Sequence, residues 1–95
     1  MNFGEALQAA KDGKKIQRSG WNGANQFVIK AGGYSVELDK LRPGTHITKE
    51  FLESLGCGAM EITEHLDLWN AQRRYVPGWV PSQGDLFAED WKIVE

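Results

Sequence analysis

Residues 15–30 read Lys15-Ile16-Gln17-Arg18-Ser19-Gly20-Trp21-Asn22-Gly23-Ala24-Asn25-Gln26-Phe27-Val28-Ile29-Lys30. Lys15 to Arg18 and Gln26 to Lys30 are short runs that favour the extended backbone. The Ser19-Gly20-Trp21-Asn22-Gly23 stretch between them contains an Asn-Gly pair suited to a tight turn at positive φ. An antiparallel hairpin is the expected result, and it sets the class of the fold. Strands joined this closely pair antiparallel, because a parallel pair needs a crossover of a dozen or more residues.

On the N-terminal side, residues 2 to 12 read as an amphipathic helix. Phe3, Ala6, Leu7 and Ala10 fall at i, i+3, i+4 and i+7 on one face. Asn2 and Glu5 have capping-box spacing, and Gly13 supplies the left-handed exit. Beyond the hairpin, Gly32-Gly33 and Pro43-Gly44 punctuate a loop region with a short strand at Tyr34 to Leu38. Thr48 then caps a second short helix that ends at Gly56, with Phe51, Leu52 and Leu55 as its expected buried stripe. Glu61 to Trp69 alternates as one half-buried strand, with Ile62, Leu66 and Leu68 on one face and Thr63, His65, Asp67 and Trp69 on the other. A turn over Asn70 to Arg73 leads to a strand at Arg74 to Val80. A helical turn at Ser82 to Glu89 follows, and the chain closes on a strand at Trp91 to Val94. No strand-helix-strand spacing repeats. The expectation is therefore a small α+β fold: an antiparallel sheet of about five strands, an N-terminal helix and a second short helix.

The 95 residues fit one domain, taken as residues 1–95. A chain of this size buries roughly 60–70% of its unfolded surface, so its stability margin is thin and oligomerisation would add to it. The net charge is -2, which lacks the broad basic field that a nucleic-acid polymer partner requires. Residues 1–60 carry eight basic against six acidic groups, and residues 61–95 carry three against seven. A single cysteine cannot close an internal disulfide, no secretory signal opens the chain, and no apolar run is long enough for a membrane span. A cytoplasmic protein without a membrane partner is expected.

Few residues suit catalysis or metal binding. His46, Cys57 and His65 stand 11 and 8 residues apart, which matches no zinc spacing, and no metal or other cofactor is expected. Cys57 next to glycines reads as an inert small residue rather than a nucleophile. Asp85, Glu89 and Asp90 form the densest acidic group. They suit either an acid–base pair in a nucleotide-cleaving enzyme or favourable charge at a short helix. No glycine-rich phosphate loop is present, so a bound phosphate would meet side chains such as Arg18, Lys30 or Arg73-Arg74.

Four tryptophans are a stronger signal. Trp21 lies within Gly20-Trp21-Asn22-Gly23, and Trp79 within Pro77-Gly78-Trp79-Val80-Pro81-Ser82-Gln83-Gly84-Asp85. Both rings sit on turns beside amide, hydroxyl or carboxylate groups. Such rings are either stacking platforms for a base with sugar hydroxyls or closures at the ends of the core. Trp91, in phase with Ile93, reads as core.

Three segments together resemble a known family: Met1-Asn2-Phe3-Gly4-Glu5-Ala6-Leu7, Arg18-Ser19-Gly20-Trp21-Asn22-Gly23, and Val76-Pro77-Gly78-Trp79-Val80-Pro81-Ser82-Gln83-Gly84-Asp85-Leu86-Phe87-Ala88-Glu89-Asp90-Trp91. They are similar, in order and spacing, to the second-type Thoeris anti-defence proteins of phages and prophages. The resemblance implies a noncatalytic sponge that captures a cyclic ADP-ribose-type immune signal inside the infected bacterial cell, so that the effector is never activated. It further implies cyclic dinucleotide capture at separate pockets in some members, and a homotetramer with pockets between protomers. Carried over by position, Trp21, Asn22, Gly23, Trp79, Ser82 and Asp85 would line the pocket, with Arg18 facing phosphates. A nucleotide-cleaving enzyme and a phage structural or adaptor module are the alternatives. No segment within residues 31–60 takes part in the resemblance.

Overall fold

The computed structural model describes residues 1–21 and 25–94, so Asn22 and Gly23 lie outside the described residues. The chain forms two compact units, one of Met1–Ala31 with His65–Glu95 and one of Gly32–Glu64.

The first unit opens with helix α1, Phe3–Lys11. Its capping box is complete: the Glu5 amide donates to Asn2 Oδ1 at 2.9 Å and the Asn2 amide donates to Glu5 Oε1 at 3.0 Å. Two of the four amides that a helix start leaves unpaired are satisfied in this way. Gly13, at φ +90°, turns the chain out of the helix.

Strands β1 (Lys15–Arg18) and β2 (Phe27–Ala31) are the two arms of the hairpin, with Ile16 opposite Val28. The other strands of this unit are β5 (His65–Trp69), β6 (Tyr75–Val76) and β7 (Trp91–Val94). They form one sheet in the order β6-β5-β2-β1-β7, and every neighbouring pair is antiparallel. The short helix α3, Gln83–Phe87, connects β6 to β7.

Ala6 and Ala10 of α1, Ile16, Val28 and Trp91 make the buried core of this unit. The two alanines let the helix backbone come close to the sheet. Burying Ile16 and Val28 contributes roughly 1.5–3 kcal/mol for each side chain. Phe3, Leu66, Leu68, Trp21 and Trp79 pack around this cluster. On the other face Phe27 and Trp69, opposite each other in register, stack at 6.4 Å. The Lys15 ammonium lies 4.8 Å from the Phe27 ring centre.

The second unit pairs β3 (Tyr34–Glu37) with β4 (Ala59–Ile62). A single 3-10 turn at Leu38–Lys40 and helix α2, Lys49–Ser54, lie between the two strands. Thr48 caps α2 through a 3.1 Å bond from the Phe51 amide. A groove of about 570 Å³ runs over the apolar face made by Tyr34, Val36, Met60 and Ile62, with Lys40 and Arg42 among the residues lining it.

The small α+β class with a five-stranded antiparallel sheet is as expected from the sequence, and four local expectations change. Glu61 to Trp69 is two strands in two different sheets, interrupted at Thr63-Glu64. Of the expected α2 stripe only Leu52 is buried, while Phe51 and Leu55 are exposed. The strand expected over Arg74 to Val80 is cut to Tyr75–Val76, because Pro77 has no amide to donate and Gly78 turns at φ +75°. Helix α3 ends at Phe87, so Glu89 and Asp90 follow the helix rather than belonging to it.

Candidate functional site

Helix α3 starts with a second capping box. The Asp85 amide donates to Ser82 Oγ at 3.1 Å, and the Ser82 amide donates to Asp85 Oδ2 at 2.9 Å. The box holds the Asp85 side chain in a single orientation, so its other oxygen is presented at a fixed position. Asp85 Oδ1 accepts from Arg18 Nη1 at 2.9 Å and from the Trp21 indole Nε1 at 3.3 Å. The backbone carbonyl of Asp85 accepts from Trp91 Nε1 at 2.9 Å. One buried residue therefore holds two indoles, one guanidinium and the start of a helix.

Arg18 closes the arrangement. Its Nε donates to Asp90 Oδ1 at 2.9 Å, and Asp90 Oδ2 accepts from the Gly20 amide at 2.8 Å. The Ser19 amide donates to the Asp90 carbonyl at 3.0 Å. The end of β1 is thus fastened to the turn that precedes β7. A Cβ on Gly20 would stand 2.8 Å from Asp90 Oδ2, so only glycine fits there without a shift. Nη2 of Arg18 has no hydrogen-bond partner among the described residues and retains its two donors.

The carboxyl groups respond to these contacts. Burial alone would raise the pKa of Asp85, but bonds from Ser82, Arg18 and Trp21 outweigh it and hold the group below the usual carboxylate range. Asp90 is also held low, chiefly by its bond to Arg18. The guanidinium is raised above its ordinary value by Asp90 and Asp85. At neutral pH one cation therefore sits between two anions.

Above this polar layer, Trp21, Trp79 and Trp91 meet edge to face. Their ring centres are 6.1 Å apart for Trp21 and Trp79, 5.3 Å for Trp21 and Trp91, and 6.3 Å for Trp79 and Trp91. The quadrupoles of aromatic rings favour this geometry. Trp91 is buried, whereas Trp21 and Trp79 are half-buried. Each of the two outer rings packs on the core and keeps part of its surface exposed.

Of the residues singled out in the sequence, Arg18, Trp21, Trp79, Ser82 and Asp85 come together in this one place, and Asp90 joins them. Asn22 and Gly23 are outside the described residues. Glu89 is exposed, and His46 and Cys57 belong to the second unit. Among the described residues, no three His, Cys, Asp or Glu side chains are grouped so as to hold a metal ion. Among the described residues, no helix is long and apolar enough to cross a membrane.

Sequence reading missed Asp67. It is 3% exposed and accepts from the Gly78 amide at 2.8 Å and from the Tyr75 hydroxyl. Alternation had put it on a polar face, and no local signal marks it as covered.

The Thoeris anti-defense 2-like domain matches residues 1–94. The protein named Thoeris anti-defense 2 from Bacillus phage SP01 is 34% identical over 95 residues, which is 99% of this chain and 94% of the relative. Matches of this extent cover both units and every described residue of the tryptophan site. The chain belongs to the Thoeris anti-defense 2-like family, a family of phage anti-defence proteins.

Proposed function

We propose that this protein binds a cyclic ADP-ribose-type immune signal and holds it without cleaving it, so that the signal never reaches its effector. The observation that carries the reading is the pair of half-buried indoles, Trp21 and Trp79, fixed edge to face beside the Ser82 helix start. Partly exposed rings of this kind accept a base or ribose face, and stacking on them is worth roughly 1–3 kcal/mol per base. In this reading Asp85 fixes the platform from behind, Ser82 lines the pocket, and the free Nη2 of Arg18 meets a phosphate oxygen.

The state of the carboxylates favours a sponge over a nucleotide-cleaving enzyme. Asp85 and Asp90 are both engaged by Arg18 and held below the usual carboxylate range, which suits hydrogen-bond acceptors rather than general acids.

We also propose a homotetramer with the pocket between protomers. Val80 and Phe87, on either side of the Ser82 capping box, are 80% and 82% exposed, and a second copy would cover them. For cyclic dinucleotides, the candidate is the groove of the second unit, where Tyr34 offers a ring and Lys40 and Arg42 offer positive charge.

The test is incubation with a mixture of cyclic nucleotide signals, removal of unbound material, heat denaturation and mass spectrometry of what is released. Recovery of an intact cyclic ADP-ribose species supports the reading. A linearised or dephosphorylated product that grows with time and protein concentration contradicts it.

A further inference from the structure

The segment that carries Trp79 has little regular structure to hold it. Strand β6 is two residues long, Pro77 has no amide proton, and Gly78 turns at φ +75°, so the ladder to β5 ends at Leu68 opposite Val76. A buried carboxylate continues the attachment where the ladder stops. Asp67 accepts from the Tyr75 hydroxyl before the proline and from the Gly78 amide after it, at 2.8 Å. The Trp79 amide then donates to the Leu66 carbonyl at 2.7 Å. His65 Nε2 lies 3.3 Å from Asp67 Oδ1 and adds a third contact.

The two ends of this attachment lie on opposite faces of the sheet. Asp67 alternates away from Leu66 and Leu68, which pack on the core with Trp79. Asp67 therefore grips the chain on one face just as it crosses to deliver the indole to the other. We propose that Asp67 is a positioning residue for the tryptophan site: by holding Tyr75 and Gly78 it fixes the orientation of Trp79 against Trp21 and Trp91, and through Trp79 it sets ligand affinity. This rests on the function proposed above only for its last step.

The test compares Asp67→Ala, Asp67→Asn and Trp79→Ala with the parent by near-ultraviolet circular dichroism and by binding of cyclic ADP-ribose. The Trp79 signature is the difference between the parent and Trp79→Ala spectra. Asp67→Ala removes both acceptors and is expected to lose most of that signature while keeping the far-ultraviolet spectrum of the sheet. Asp67→Asn keeps an oxygen for Gly78 and an amide for the Tyr75 oxygen, and is expected to restore it. Binding is expected to weaken tenfold or more in Asp67→Ala, and by less than twofold when the same change is made on Trp79→Ala. If Asp67→Ala does not fold, Asp67→Asn with Tyr75→Phe takes its place, since the amide then has no hydroxyl partner. A retained Trp79 signature in the folded variant overturns the proposal, as does an equal loss of affinity with and without Trp79. If the parent does not bind cyclic ADP-ribose, the functional reading fails for that ligand, and the optical signature still decides the role of Asp67.

Discussion

Trp21 and Asp85, 64 residues apart in sequence, are joined by a 3.3 Å hydrogen bond from the indole Nε1 to Oδ1, the same oxygen that accepts from Arg18 at 2.9 Å. The Trp21 indole and the Arg18 guanidinium therefore share one acceptor oxygen, while the other oxygen of the same carboxylate takes the Ser82 amide at the start of α3. The orientation of the ring depends on a carboxylate that also caps a helix.

Asp85→Asn should be costly for a reason specific to this geometry. Both carboxylate oxygens are in use, so turning the amide oxygen toward the Ser82 amide points an NH2 group at Arg18 and Trp21, which are also donors. We expect a loss of roughly 2–4 kcal/mol, a fall in melting temperature on the order of 10 °C or more for a chain of this size. Thermal denaturation followed by circular dichroism checks it, and an unchanged midpoint would mean that the shared acceptor is not important to the fold.

Acid should weaken the first unit. The carboxyls of Asp67 and Asp85, for which burial is outweighed by their hydrogen bonds, and of Asp90, bound to Arg18, are all held below their ordinary values. A group with a folded pKa below its unfolded value contributes fully above the unfolded value, about 3.9 for Asp, and its contribution is lost as pH falls through the folded value. Melting temperature should therefore decline progressively below about pH 4. A curve that stays flat down to pH 3 would contradict the bonds assigned to these groups.

Two glycine substitutions should separate a required glycine from a replaceable one. Gly20→Ala places a methyl 2.8 Å from Asp90 Oδ2 and should destabilise the protein and weaken ligand binding together. Gly84→Ala meets only Ser82 Oγ at 3.6 Å and lies within α3, so it should be neutral or add about 0.5–1 kcal/mol. Paired thermal melts check both, and the reverse order of the two variants would show that the Gly20 approach to Asp90 is not needed.

The parts of this fold that are legible in the sequence are those with local causes. Asn2 and Glu5 announce α1, Gly13 its end, and the runs around Ile16, Val28 and Trp91 their strands. The change of sheet at Thr63-Glu64 has no such cause, because a period of two continues unchanged through a chain that leaves one sheet for another. The site divides in the same way. The turn positions of Trp21 and Trp79 are visible directly. The ion pairs of Arg18 join residues 67 and 72 positions apart, and the burial of Asp67 depends on a segment eleven residues further along. Pairings of that kind become visible only once the sheet order β6-β5-β2-β1-β7 is known.

Assembly should be visible without ligand. Light scattering at micromolar concentration is expected to give the mass of a tetramer, and Phe87→Asp, which replaces a ring that is 82% exposed in the single chain by a carboxylate, should shift it toward smaller species. A parent of monomer mass would remove the pocket between protomers.

The most direct measurement is calorimetric titration of a cyclic ADP-ribose-type signal into the parent, Trp21→Ala, Trp79→Ala and the double variant, each checked for folding by circular dichroism. Saturable binding by the parent, weakened by roughly 1–3 kcal/mol in each single variant and lost in the double variant, is the predicted result. Folded double-variant protein that binds as tightly as the parent would show that the two indoles only close the core, and that the ligand site lies elsewhere.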